Sequence, residues 1–222
     1  MTQTTLPAPI NRDTYTTRFR RTAAGLCLII GPLLLAAANL LSTQSDTNPE
    51  ADLTTLATNG GREQISIMLF LLGFTLIVPG AFGMLALIRD RGKLLGNVGI
   101  TLAVPGLMAF AGLVTNGVAN IGIARAVPPA QGLTIIKSME NTGAANVIVL
   151  LGLLALPLGI IMLTFGVWRA RVAPIWAPLL VVAAFAAVVV GEGMIGGIVG
   201  DLLMFIGLGA VGLRMICNHE LS

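Results

Sequence analysis

Two carboxylates, Glu192 and Asp201, stand in the apolar run VVVGEGMIGGIVGDLLMF that covers 188–205. On insertion scales an acidic side chain at mid-membrane depth costs about 2.5–3.5 kcal/mol, so one that is kept there points to a partner, a proton or a ligand. A carboxyl that holds its proton in such a place can donate a hydrogen bond or act as a general acid. Asp201 is the first candidate for that chemistry and Glu192 the weaker one. Residues 172–216 as a single helix would run ~67 Å, more than twice a hydrocarbon core, so the chain must turn, and Gly191, Gly193, Gly196 and Gly197 mark the place. Glu192 then falls in the turn itself. Asp201 falls about 10 Å along the last span, flanking a face made by Gly193, Gly197 and Gly200, and small residues of that kind face other helices.

Other polar side chains fall at a similar depth. Asn116 and Asn120, at i and i+4, share a face near the outer end of the third span; Glu140, Asn141 and Asn146 open the fourth; Asn39 ends the first. The expectation is a polar vestibule open outward, with Asn116, Asn120, Glu140 and Asn146 as ligand-binding residues and Asp201 at the floor. No metal site or cofactor is expected. The one histidine, His219, lies in the C-terminal tail, and Cys27 and Cys217 fall near the cytoplasmic helix ends, where thiols stay reduced. The chain has no phosphate loop of the Walker type and no CxxC, and its glycine clusters fall inside apolar spans, where helix packing accounts for them.

The elements that must hold these residues follow from composition. Of 222 residues 55% are hydrophobic and only 10% charged, and the mean hydropathy is +0.90. A soluble domain carries about a quarter of its residues charged, so most of this surface must face lipid. Six apolar stretches, 22–42, 65–88, 94–119, 144–168, 172–190 and 194–216, have the roughly 20-residue length that crosses a ~30 Å core as helix. They are too long and too continuously apolar for barrel strands. The fold class is therefore all-α, a polytopic integral membrane bundle of six transmembrane helices.

Orientation follows from the basic residues. Ten of the thirteen, Arg12, Arg18, Arg20, Arg21, Arg89, Arg91, Lys93, Arg169, Arg171 and Arg214, fall on one side of that topology, and only Arg62, Arg125 and Lys137 on the other. The positive-inside rule places both termini in the cytoplasm, of a bacterial cell membrane by this reading. It also explains a pI near 9.4 with no nucleic-acid partner. Residues 1–21 read as a disordered cytoplasmic arm and 217–222 as a cytoplasmic tail. Within the loop 43–64, Ser45 or Asp46 could cap a short turn that Gly60 and Gly61 would end, forming a small lid. In the third connection Ile135, Ile136 and Met139 at helical spacing predict a short interfacial helix with Lys137 and Glu140 toward water.

Residues 71–91 and 150–171 share LLG, a mid-span proline and a closing Arg-x-Arg, the outline of a parallel hairpin repeat of the kind some transporters use. Prolines at 32, 79, 105, 157 and 178 would kink the spans and bow the bundle outward around a cavity. The run 59–99, with Gly-Arg before the second span, its proline, a basic turn and LLGNVG, resembles small multi-pass membrane proteins of actinobacteria without an assigned activity. That resemblance covers the middle third of the chain and implies a topology, not a reaction.

Three functions fit these features. The first is a membrane protein that binds a lipidic or amphipathic small molecule, in a sensor, immunity or accessory role, with membrane lipids and a homo-oligomeric or other membrane-protein partner around it. The second is an integral-membrane terpene cyclase with Asp201 as general acid and Phe110, Phe185 and Phe205 steadying a cation. The third is a small proton-coupled transporter.

Overall fold

A computed structural model of the chain describes residues 12–43, 49–88, 91–191 and 193–217. Helices α1 (Arg12–Leu41), α2 (Pro49–Leu87), α3 (Lys93–Ala126) and α4 (Pro129–Glu140) are followed by α5 (Gly143–Leu150), a π-helical segment (Leu151–Ala155) and α6 (Leu156–Arg169), then α7 (Trp176–Val190) and α8 (Gly193–Cys217). No strand occurs among the described residues. Five of these rods are long and apolar enough to cross a membrane, with Gly143–Arg169 acting as one; the apolar helix Trp176–Val190 is shorter, at 15 residues.

The sequence places a full span at 172–190, and the difference has a local cause. After α6 the chain spends residues 170–175 on a turn, so α7 is left with about 22 Å of helix. Three other boundaries also move. Helix α1 begins at Arg12 rather than at 22, so all of the expected disordered arm that is described, 12–21, is helical. Helix α3 continues to Ala126 instead of stopping at 119. The expected lid between the first two spans is largely the start of α2, which runs from Pro49 and bends at Asn59 (φ −108°, ψ 19°), so Gly60 and Gly61 follow a kink and do not end a turn. The proposed caps Ser45 and Asp46 lie outside the described residues, as do residues 1–11 and 218–222. The short helix expected in the third connection is α4, with Ile135, Lys137, Met139 and Glu140 all exposed.

The π-helical segment sits directly before Pro157. Proline has no N–H to offer the carbonyl four residues back, and its ring crowds that carbonyl, so widening the preceding turn relieves both problems.

The rods close into a ring in the order α1, α2, α3, α6, α7, α8, with α5 continuing α6 along α3 and α4 resting against α2. Glycines set how closely neighbours approach. A Cβ on Gly25 would stand 2.7 Å from the Gly212 carbonyl oxygen, and one on Gly99 2.8 Å from the Leu163 nitrogen, so the α1–α8 and α3–α6 contacts are backbone against backbone. Helix α8 uses two faces: Gly200 and Gly207 lie against α7, while Gly197 and Gly212 lie against α1.

The centre of the ring is filled. Phe74 stacks on Phe70 at 6.2 Å and tilts against Phe110 at 5.2 Å. Phe185, Met204 and Leu208 complete the packing around a void of about 10 Å³. That is about the space of one water, so the bundle is packed at this level.

Candidate functional site

Asp201 is 7% exposed and lies on the α1 side of α8. Asn39, in the last turn of α1, donates its Nδ2 hydrogen to Oδ2 of Asp201 over 2.6 Å. Room for this contact comes from Gly197, one turn earlier on the same face of α8, where a Cβ would stand 3.1 Å from both Oδ1 and Nδ2 of Asn39. The expectation that Asp201 points into the bundle and meets a residue at its own depth therefore holds for Asn39.

The other residues expected at the site are elsewhere. Asn116 and Asn120 are on α3, Glu140 ends α4 and Asn146 is on α5, and α2 separates this group from α1 and α8 in the ring. Asn116, Glu140 and Asn146 are exposed, Asn120 is half-buried, and none of the four makes a side-chain hydrogen bond among the described residues. The five-residue vestibule is thus not assembled. Depth along a span can be read from a sequence, whereas the angle around the bundle depends on the order of the helices. Glu192 lies outside the described residues.

A second buried carboxylate, Glu63 of α2, is 3% exposed. It accepts from the Thr43 backbone N–H at 2.8 Å and from Thr43 Oγ1 at 2.9 Å. Ser66 Oγ donates to the Ala38 carbonyl at 2.8 Å, and Arg62 to the Leu40 carbonyl at 3.0 Å. Helix α2 thereby takes up the Leu40 carbonyl at the end of α1 and adds a second donor to the Ala38 carbonyl, which already accepts the Ser42 N–H at 2.9 Å, a structural role for the NGGREQIS stretch. The only signal for it in the sequence is a Glu and a Ser three residues apart on one helix face.

At the opposite end of the bundle lies the larger feature, an open groove of about 1210 Å³. Its rim carries Arg20, Arg21, Arg91 and Arg171, and its floor is apolar, with Pro79, Phe82 and Ala86. None of its described lining residues is acidic, and none of the four arginines forms an ion pair among the described residues. The Nε of Arg21 is buried with no acceptor, an arrangement that costs about 1–3 kcal/mol.

Two backbone features bring Arg91 and Arg171 to this rim. Gly92 holds φ 93°, which suits glycine, and a Cβ there would stand 2.7 Å from the Gly166 carbonyl oxygen, so the α2–α3 turn abuts the end of α6. Helix α6 ends in a Schellman arrangement: Arg171 N–H bonds to the Trp168 carbonyl at 2.8 Å and Val172 N–H to the Val167 carbonyl at 3.1 Å. The left-handed position of that motif, normally glycine, is Arg171 itself, with φ 60°. An L-residue there costs about 1–2 kcal/mol. Arg214 of α8 ties the same turn down by donating to the Val172 carbonyl at 2.9 Å.

No family model, curated protein or solved structure matches the chain. The reading of the site therefore rests on its chemistry.

Four arginines lining an apolar groove suit an anion with a hydrophobic body. In the sequence these arginines are accounted for by topology alone. Their convergence depends on the abutting turns and on the backbone of Arg171, neither of which leaves a trace in a hydropathy plot.

Proposed function

We propose that the chain is a six-span integral membrane protein of a bacterial cytoplasmic membrane, and that it binds an anionic amphipathic molecule in the groove at its basic end, as a sensor, immunity or accessory protein would. In this reading the basic end and both termini face the cytoplasm, in keeping with the positive-inside rule, and α7 is the short fifth span in chain order, served by local thinning of the bilayer. The observation that carries the binding role is the groove itself, with Arg20, Arg21, Arg91 and Arg171 unpaired among the described residues over Pro79 and Phe82. A cyclase would need a chamber beside its acid. Asp201 instead hydrogen-bonds Asn39, and the packed ring centre leaves only about 10 Å³.

A thermal titration in neutral detergent tests the reading. Dodecyl phosphate at a hundredfold excess over its dissociation constant should stabilise the protein by about 2.7 kcal/mol. A neutral maltoside of the same chain length should not, and the Arg20→Ala/Arg21→Ala double variant should lose most of the response. Equal stabilisation of the double variant and the wild type would overturn the proposal.

A further inference from the structure

We infer that the groove takes a lipid of the surrounding leaflet whose headgroup carries two phosphates, drawn in sideways along the seam between α1 and α2. This rests on the amphiphile reading above and names its ligand.

The floor of the groove faces the membrane. Phe82 is 52% exposed, and Pro79 and Ala86 are exposed as well. From Leu87 at the rim to Pro79 the groove follows eight residues of α2, about 12 Å down into the bilayer. Ala23 and Cys27 of α1 form the facing wall. A soluble amphiphile buried by its host needs a closed pocket, whereas a trough open along its length to lipid suits a molecule whose chains remain partly in the leaflet.

The cations come from two walls, Arg20 and Arg21 from α1 and Arg91 and Arg171 from the turns after α2 and α6, the first of which Gly92 sets against the end of α6. A guanidinium binds a phosphate through two parallel N–H donors, and two of them saturate most of its oxygens. Two cations on each wall match the charge of two phosphates, with no carboxylate among the described lining residues to compete. The left-handed backbone of Arg171 fits a position held for the ligand at the expense of the fold.

The test uses the full-length protein in phosphatidylcholine vesicles that contain cardiolipin and phosphatidylglycerol at equal phosphate, with bound lipid counted by native mass spectrometry. Wild type should retain cardiolipin over phosphatidylglycerol by about tenfold, the worth of one added charge-assisted contact. Arg91→Ala should remove that preference, because one wall loses half of its cations, while Arg18→Ala, which removes the same charge from α1 outside the groove, should leave it intact. Ala86→Trp, on the exposed floor, should displace both lipids without altering any charge. Equal retention of the two lipids by wild type, with the dodecyl phosphate response present, overturns the two-phosphate assignment alone. Retention that no groove variant alters overturns both this inference and the amphiphile reading.

Discussion

Gly159→Leu should separate α3 from α6 and cost about 3 kcal/mol or more, seen as loss of the folded fraction on mild heating in detergent. A Cβ at Gly159 would sit on the backbone of Ala103, and one at Gly106 on the backbone of Leu156. A long side chain can swing away from such an intrusion, but a helix backbone must move as a body. Here the contact repeats at Gly99, Gly106 and Gly159, so the whole interface would have to shift. The matched control is Gly112→Leu on the open face of the same α3, where nothing lies within 4 Å; it should change stability by no more than about 0.5 kcal/mol. Equal losses from the two substitutions would show that the helices are not held by this contact.

The second large effect belongs to the carboxyl that first drew attention in the sequence. Asn39→Leu removes the donor that faces Asp201 and leaves its oxygens buried without a partner in the ring. Interhelical hydrogen bonds in membrane bundles are worth up to about 1.7 kcal/mol, and stranding the acceptor adds to the loss, so about 2 kcal/mol is expected. Leucine is close in shape to both side chains. The Asn39→Leu/Asp201→Leu double variant should therefore recover most of the lost stability, since replacing both members of a buried polar pair is nearly neutral. A double-mutant cycle from detergent melts measures this directly. Strict additivity of the two changes would mean that the pair does not fasten α1 to α8.

Much of the architecture is legible in the residues because the bilayer constrains it so strongly. Apolar length marks the long helices, and Gly191 marks the break before α8, whereas Gly193, Gly196 and Gly197 already belong to that helix. The spacing of Ile135, Ile136 and Met139 marks α4. The depth of Asp201 and Asn39 also follows from counting residues along a helix, which is why that pairing was within reach.

Azimuth is not encoded in the same way. Asn116, Asn120 and Asn146 have a suitable depth but belong to helices on the far side of α2, and only the order of the ring reveals it. The groove is not legible in the sequence for a different reason. Arginines gathered in the short loops at one end of a helical bundle are the default outcome of membrane insertion, so their presence carries little information until tertiary contacts bring them together. Arg171 illustrates the point, since its left-handed backbone appears only in the geometry that ends α6.

That residue also offers the most direct test of the account. Arg171→Gly places in the left-handed position the residue that favours it, so the variant should melt higher than wild type, by about 1 kcal/mol of added stability. Its affinity for dodecyl phosphate, measured by equilibrium binding in neutral detergent, should nevertheless fall about tenfold, the equivalent of one charge-assisted contact. Arg18→Ala, which removes the same charge outside the groove, should bind as the wild type does. A stabilised Arg171→Gly protein that still bound the amphiphile at wild-type affinity would contradict the groove as the functional site.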